Sequence, residues 1–394
     1  MQNYTIYVPN SQQVYADSAT SPAQVVGSFL PKRQDATLLA RSFSRLYHRY
    51  GGSFLERRAV AIYYCSHHLL FSVPVDISEG KPRLVHADFC RIRLCPLCEK
   101  RRALQFAGQL TLILDELQSR RPDVQLIFLT LTIRDVGARD LPGAIDVLQQ
   151  GFRRMTLNYR RRLKAVIGGF RSLEITAKQN GQFHPHLHCI MAVDETYFNA
   201  TRDGFIHKSE WSAMWQNSIR ADYHPIIDIE AVKEKDGDAH FFSSAVAEVS
   251  KYATKSADYI VDDEKETDRR VYTLAHALHG RKLYNMWGVV RKLHTELQLT
   301  DPEKLEDIGH SDGVYAKDNI LRFLGGYRWW GDHYEQYCKS QKSMTHDEWC
   351  AYFKDRVAKF KPQHNMVCHD LQKSNFRASL EKAKKKMQKR PALG

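Results

Sequence analysis

The alternation of apolar and polar positions predicts a chain that mixes helices and strands. Apolar residues at helical spacing predict helices over 99–120, 142–166, 208–223, 241–260 and 272–299. Apolar, β-branched runs predict strands over 126–133, 170–176, 183–193 and 225–232. Because residues 1–35 show no clear period, we expect a flexible lead-in over residues 1–50. This order of strands and helices agrees with an α+β fold.

A hairpin joins the strands at 170–176 and 183–193, and its loop length decides which residues face each other. A two-residue Asn180-Gly181 loop would pair His186 with Ile175. A three-residue loop, with Gly181 in the left-handed conformation, would pair His186 with Glu174. We favour the second register because it buries one apolar set together on the opposite face, namely Leu173, Ile175, Leu187 and Cys189.

Three histidines alternate along the second strand of this hairpin. His184, His186 and His188 point to one face, because side chains in a strand alternate between faces. Imidazole is the commonest metal-binding side chain, so this face is a candidate metal site. In the three-residue register Glu174 joins it as an oxygen ligand. The alternative is a histidine-rich surface strand.

Four cysteines form a second candidate metal site ahead of the hairpin. Cys90, Cys95 and Cys98 lie in a compact knuckle, and Cys65 is the expected fourth ligand, with His67 or His68 as substitutes. Tetrahedral zinc takes four such ligands, and a complete shell makes the site structural. The alternative is four buried thiols.

The predicted helix over 241–260 carries charged and phenolic groups on one side. At helical spacing Glu248, Lys251, Tyr252 and Lys255 fall opposite the apolar sector, and Glu248 meets Tyr252 at i and i+4. A phenol, a carboxylate and two ammonium groups are the parts of a phosphoryl-transfer nucleophile. An ordinary exposed helix face would show a similar pattern.

The net charge of +13 favours a polyanionic partner, with nucleic acid preferred to a membrane. One sector of the helix over 142–166 is basic and is expected to contact DNA phosphates through Arg153, Arg160, Arg161 and Lys164, although a solvated face is the alternative. No apolar run is long enough for a membrane span, and the N-terminus has no secretion signal. We therefore expect a cytoplasmic protein whose eight cysteines are reduced or metal-bound.

These motifs, in this order, resemble the rolling-circle replication initiators of small bacterial plasmids. The resemblance rests on Phe128-Leu-Thr-Leu-Thr132, His184-Pro-His-Leu-His188 and Glu248-Val-Ser-Lys-Tyr252-Ala-Thr-Lys255. The cysteine pattern is similar to the leading segment of the same initiators. They belong to the HUH endonuclease superfamily, and the similarity covers about residues 60–262.

The resemblance implies a central antiparallel sheet with flanking helices, preceded by a small zinc-binding segment. Separately, apolar residues at helical spacing over 272–299 predict a mostly helical C-terminal region. The corresponding domains are 1–50, 51–122, 123–262 and 263–394, of which the third is the nicking domain. His186 and His188 would hold Mg²⁺ or Mn²⁺, with His184 as an extra histidine. Tyr252 would cut one DNA strand, and Glu248 would act at termination.

This family chemistry needs no ATP, because the phosphotyrosine link conserves the energy of the cleaved bond. The implied partners are the origin hairpin, its single-stranded nick site, and a host polymerase and helicase; a homo-oligomer on the origin is left open. The alternatives are a relaxase- or transposase-type strand transferase and a zinc-dependent DNA-binding regulator without catalysis.

Overall fold

The structure is a computed structural model of the 394-residue chain. It describes residues 22–74, 83–198, 205–232, 246, 249–250, 255–301, 303, 322–329 and 333–339. The chain divides into two compact units, each of which is described by itself. The histidine unit is Glu99–Leu305, and the cysteine unit combines residues 22–98 with residues 322–339.

The described helices and strands follow one another in a mixed order. The helices are α1 (Pro22–Tyr50), α2 (Ser53–Tyr63), α3 (Pro96–Arg120), α4 (Leu141–Asn158), α5 (Lys208–Ile219), α6 (Ser256–Tyr259), α7 (Glu264–Ala277) and α8 (Gly288–Glu296). The strands are β1 (His68–Pro74), β2 (Arg83–Ala87), β3 (Gln125–Thr132), β4 (Val166–Ala177), β5 (Phe183–Val193), β6 (Ile227–Ala231), β7 (Tyr284–Trp287), β8 (Arg322–Trp329) and β9 (Tyr334–Lys339).

The histidine unit is built on a five-stranded sheet in the order β6-β3-β5-β4-β7. Each neighbouring pair is antiparallel, and the histidine strand β5 is the middle strand. Almost every side chain of β5 is buried, so its histidines lie inside the unit and not on an exposed strand. An antiparallel sheet flanked by helices confirms the predicted fold class.

Helices α4 and α5 cover the sheet face opposite the histidines. Phe152 of α4 lies 5.3 Å from the guanidinium of Arg171, which has the same parity along β4 as Leu173. The two helices pack closely at Gly151, where a Cβ atom would come within 2.6 Å of Ile219. Trp215 is fully buried, and its indole nitrogen donates to the carbonyl of Thr132.

The cysteine unit has a four-stranded antiparallel sheet in the order β2-β1-β8-β9. Strand β1 pairs with β8 from His68↔Arg328 to Pro74↔Arg322, although the two strands are far apart in sequence. Phe71 of β1 packs edge to face against Phe29 of α1 and Tyr327 of β8. The core of this unit therefore joins the two ends of the described chain.

Tertiary pairing corrects several sequence-based boundaries. Helix α4 ends at Asn158 rather than 166, because β4 begins at Val166, where it pairs with Val193. The helix predicted over 272–299 is instead α7, β7 and α8. Lys255 has extended backbone (φ −79°, ψ 139°), so no continuous helix spans 241–260.

The expected flexible lead-in does not extend to residue 50, since residues 22–50 form α1. This helix packs on α2, so its order comes from tertiary contacts that the sequence of residues 1–35 does not signal. The described C-terminal residues also include β8 and β9, where a mostly helical region was expected. The domain boundaries at residues 51, 123 and 263 stay predictions.

Candidate metal centres and nucleic-acid contacts

The hairpin register places an acid opposite the histidines. Glu174 of β4 pairs with His186 of β5, and Ala177 pairs with Phe183. The three-residue loop is closed by a 2.8 Å hydrogen bond from the Lys178 amide to the Gln182 carbonyl. Gly181 has φ +80°, the left-handed conformation that glycine adopts at little cost. The predicted register is therefore confirmed.

Glu174, His186 and His188 converge on one point in a buried site. The Nε2 atoms of the two histidines lie 3.1 Å apart. Glu174 Oε2 lies 3.0 Å from His188 Nε2 and 3.6 Å from His186 Nε2. None of the three residues is more than 9% exposed.

The opposite nitrogen of each ring is engaged away from this point. His188 Nδ1 lies 3.2 Å from Thr130 Oγ1 on the adjacent strand. His186 Nδ1 lies 3.2 Å from the carbonyl oxygen of His184. These contacts fix the ring orientations and leave both Nε2 atoms directed inward, as ligating imidazoles require.

The spacing of the three donor atoms fits a divalent cation. Neighbouring ligands of an octahedral ion with bonds of about 2.1 Å lie about 3.0 Å apart. The observed separations of 3.0, 3.1 and 3.6 Å match three ligands on one face of such an ion. Two imidazoles and one carboxylate on one face would leave positions open for phosphate oxygens.

The charge state of Glu174 also suits a cation. Burial alone would raise the pKa of this carboxyl, but its hydrogen bonds to His186 and His188 hold the pKa well below its usual range. The ammonium group of Lys255 also lies near this carboxylate, with Nζ 3.7 Å from Glu174 Oε1. The carboxylate is therefore ionised near neutral pH and available as an oxygen ligand.

His184 lies beside the three converging residues but is held by another partner. Its Nδ1 is 2.7 Å from Asp135 Oδ1, and its ring centre is 5.2 Å from that of His186. Lys178 forms an ion pair with the other oxygen of Asp135. His184 is thus outside the group of donor atoms that converge, while its ring remains next to them.

The structure describes only part of the predicted catalytic segment. Lys255 reaches Glu174, as described above, whereas Glu248, Lys251 and Tyr252 lie outside the described residues. Asp258, one turn after Lys255, is half-buried, and its pKa is raised, chiefly by burial. The sequence analysis did not single out Asp258.

Arg270 of α7 connects the hairpin to the segment that carries Lys255. Its side chain is buried and donates to the carbonyls of Lys178, at 3.0 Å, and Asp258, at 2.6 Å. Glu266 holds the same guanidinium at 2.7 Å. One arginine therefore fixes three elements around the candidate metal centre.

The four cysteines form the second group of converging donors. Their sulfur atoms all lie within 4.8 Å of one another. The Cys65 and Cys98 sulfurs are 3.6 Å apart, as are those of Cys90 and Cys98, and Cys95 is 3.5 Å from Cys65. Ligands of tetrahedral zinc with Zn–S bonds of about 2.3 Å lie about 3.8 Å apart, so the cluster fits that ion.

Two backbone amides donate to the sulfurs of the cysteine cluster. The amides of Cys90 and Arg91 donate to the sulfurs of Cys65 and Cys98, at 3.5 and 3.2 Å. Burial raises the pKa of Cys90 and Cys98, so four ionised thiols need a cation to neutralise them. His67 and His68, the suggested alternatives to Cys65 as the fourth ligand, are not among the converging donors. His68 pairs with Asp88 at 2.8 Å, and His67 packs on Tyr64.

The basic residues proposed to contact DNA are exposed. Arg153 lies on the solvent side of α4, and the other three follow the end of that helix, at Arg160, Arg161 and Lys164. By contrast, Trp211 is fully buried and donates to the Tyr197 hydroxyl at 3.2 Å. With Trp215 it belongs to the buried core and is not available to stack on DNA bases.

An antiparallel sheet with a histidine–carboxylate donor set, and a four-cysteine cluster, agree with what the resemblance to plasmid replication initiators implies. The Rep_1 family model, described as replication protein, matches residues 81–338. The chain belongs to this family, and the resemblance found in the sequence is confirmed. Plasmid replication initiation, which implies DNA binding, is therefore its role.

Curated relatives agree with this assignment. Protein rep of Bacillus amyloliquefaciens is 35% identical over 287 residues, which cover 69% of this chain and 82% of the relative. Protein rep of Lentilactobacillus hilgardii is 32% identical over 245 residues, covering 62% and 77%. A replication protein of Staphylococcus aureus is 27% identical over 219 residues, covering 55% and 92%. No solved structure is a significant match.

None of the helices in the described part of the chain has the length and apolar character that a membrane span requires.

Proposed function

We propose that the chain initiates plasmid replication by nicking one DNA strand at the double-strand origin, with Tyr252 as the nucleophile. The buried Glu174, His186 and His188 would hold Mg²⁺ or Mn²⁺ beside the scissile phosphate, with His184 next to them. Such an ion supplies Lewis-acid polarisation of the phosphate when it is bound. Relaxase- or transposase-type strand transfer would use the same chemistry.

The position of Lys255 is the observation that carries this proposal. Its ammonium group lies 3.7 Å from Glu174, so the segment that follows Tyr252 reaches the donor set. Because Tyr252 precedes Lys255 by only three residues, its phenol would act at the same site. Lys251 and Lys255 would favour the phenolate, because a nearby positive charge lowers the pKa of a phenol.

The nicking step exchanges one phosphodiester link for another. The Tyr252 oxygen attacks the phosphorus and loses its proton, while the bond from phosphorus to the 3′-oxygen breaks and that oxygen takes up a proton. The protein retains the 5′-phosphate, and the DNA keeps a free 3′-hydroxyl. At termination Glu248 would activate the hydroxyl or water that releases the link. No ATP is consumed.

The remaining groups would support this reaction. Zinc at Cys65, Cys90, Cys95 and Cys98 would be structural, because four sulfur ligands complete its shell. Arg153, Arg160, Arg161 and Lys164 would contact DNA phosphates of the origin. The 3′-hydroxyl would prime a host polymerase, and a host helicase would open the duplex, since the sequence contains no phosphate-binding GxxxxGK[ST] loop.

A covalent adduct assay tests this proposal. The full chain is incubated with Mn²⁺ and single-stranded oligonucleotides that tile the plasmid origin, and the products are separated on a denaturing gel. We expect a protein–DNA adduct that Tyr252→Phe abolishes. Tyr272→Phe is the matched control, because Tyr272 is a partly exposed tyrosine on α7.

Two results would contradict the proposal. An undiminished adduct in Tyr252→Phe would remove this residue as the nucleophile. If no adduct formed with any divalent metal while the chain still bound origin DNA, the chain would be a zinc-dependent regulator without catalysis.

A further inference from the structure

A cavity of about 280 Å³ opens at the end of β3, between the start of α4 and the segment that follows α5. Its floor is apolar and includes Ile133, Val136 and Val147. A cavity of about 150 Å³ accommodates a benzene ring, so this one has room for a nucleobase. Val147 is 39% exposed, which leaves an apolar surface open to solvent.

One wall of the cavity is a stacked pair. The guanidinium of Arg134 lies 3.8 Å from the centre of the Tyr223 ring, and the Arg134 amide donates to the Tyr223 hydroxyl at 2.9 Å. Asp222 neutralises the same guanidinium at 3.4 Å. Arg134 therefore covers one face of the Tyr223 ring, and aromatic and guanidinium groups of this kind stack bases of any sequence.

The rim carries a second arginine in an unusual conformation. Arg220 ends α5 with φ +57° and ψ +42°, the left-handed region where glycine is the usual residue. Its side chain is exposed at the mouth of the cavity. The mouth of the cavity thus carries a guanidinium at a backbone position where glycine is the more usual residue.

We propose that this cavity holds one nucleobase of single-stranded DNA, stacked on Tyr223 and Arg134, while Arg220 binds the adjacent phosphate. The base is neutral, which suits a lining in which two arginines are balanced by Asp222 and Asp140. The Asp140 carboxylate can also accept a hydrogen bond from the amino group of a base. This inference rests on the proposed function, because it places a flanking nucleotide of the strand that is cut.

The cavity adjoins the candidate metal centre along the chain. Asp135, the residue after Arg134, holds His184 at 2.7 Å. Thr132 pairs with His186, and its hydroxyl donates to the carbonyl of Ile226, three residues beyond Tyr223. The cavity lies on the α4–α5 side of the sheet, opposite the histidines, so a strand that places a phosphate at His186 would reach it by passing around the end of β3.

Binding of a labelled dT20 oligonucleotide to the full, zinc-containing chain tests the inference. The change is measured by fluorescence anisotropy, and this probe lacks the origin sequence. We expect Tyr223→Leu to weaken binding about tenfold, because it removes one base–aromatic stack, whereas Tyr223→Phe keeps the ring and the affinity. Arg220→Gly should lower the salt dependence of log Kd by about 0.7, as expected for the loss of one phosphate contact.

A fully abasic oligonucleotide separates the two contacts. Tyr223→Leu should bind it as the unchanged chain does, while Arg220→Gly should still bind more weakly. Arg291→Ala, which removes an exposed arginine of α8 outside the cavity, is the control. Thermal unfolding checks each variant, and Tyr223→Phe provides the comparison if Tyr223→Leu is destabilised.

Unchanged dT20 binding in both Tyr223→Leu and Arg220→Gly would overturn the inference. Equal loss on dT20 and abasic DNA in Tyr223→Leu would also overturn it, because the ring would then not contact a base. These readouts need no cleavage. A chain that fails to nick but shows the expected binding pattern would contradict the proposed function alone.

Discussion

Glu174 is the residue on which the chemistry of the candidate metal centre depends most. It supplies the negative charge among the three converging donors, and it contacts both histidines and Lys255. Two neutral imidazoles alone bind Mg²⁺ weakly, because hard divalent cations prefer oxygen ligands. The acid therefore determines whether this pair of histidines holds a metal that can act on phosphate.

Glu174→Gln should lower the affinity for Mn²⁺ by at least about tenfold and abolish nicking, because the amide keeps the shape of the side chain but removes its charge. Titration calorimetry measures the affinity. Glu230→Gln, on the exposed face of β6, is the control and should bind Mn²⁺ normally. Equal affinity in the two variants would exclude Glu174 as a ligand.

At the scale of elements, the centre depends on how α7 holds its neighbours. Arg270 bonds to the hairpin, to α6 and to Glu266, and Arg269 adds a 2.9 Å bond to the carbonyl of Gly181. The hairpin tip is thus clamped from one side. Such clamping keeps the histidines and the segment with Lys255 in a fixed relation, which phosphoryl transfer requires.

Arg270→Leu should destabilise the histidine unit by about 2 kcal/mol, because it leaves the carbonyls of Lys178 and Asp258 without their buried donor, while Glu266 keeps its bonds to Arg269. Chemical denaturation measures this change. Arg281→Leu, which removes a less buried arginine that pairs with the exposed Asp146, should cost less than about 1 kcal/mol. A similar loss in both variants would show that Arg270 has no special role.

The position of Glu174 could be predicted from the sequence, whereas the contacts of Arg270 could not. Side-chain parity and the glycine at 181 suffice to place Glu174 beside His186, because a hairpin is local. Arg270 could not be found in this way, since it contacts residues 92 positions away through backbone carbonyls. The end of α4 was also missed, because pairing of Val166 with Val193 overrides a helical pattern that continues through Leu163.

At the scale of the whole molecule, the cysteine unit joins distant parts of the chain. The Trp329 amide donates to the carbonyl of His67, and the Tyr334 hydroxyl donates to the carbonyl of Ser66. Both bonds hold the turn that follows Cys65. The sequence analysis predicted a zinc-binding segment limited to residues 51–122. It could not indicate that β1 pairs with β8, because a pairing across about 250 residues leaves no local pattern in the sequence.

A chain that ends at residue 320 should therefore lose zinc or bind it more weakly, because β1 loses its partner β8 and the Cys65 turn loses two hydrogen bonds. Zinc content and exchange with a chromogenic chelator measure this effect. Normal zinc retention by the shortened chain would support a leading segment that folds without the C-terminal strands.

If the proposed zinc site is correct, Cys95→Ser should reduce the zinc content of the full chain and lower the melting temperature, because one of four ligands is removed. Cys189→Ser is the matched control, since Cys189 is also fully buried but lies on β5, away from the cluster. We expect it to retain zinc. Loss of zinc in both variants, or in neither, would contradict a four-cysteine site.

The most direct measurement of the central claim is anomalous diffraction from crystals of the chain soaked in Mn²⁺. We predict a manganese peak within bonding distance of Glu174, His186 and His188, with His184 still bonded to Asp135. A peak held by His184 in place of Glu174, or no peak between these side chains, would contradict the account.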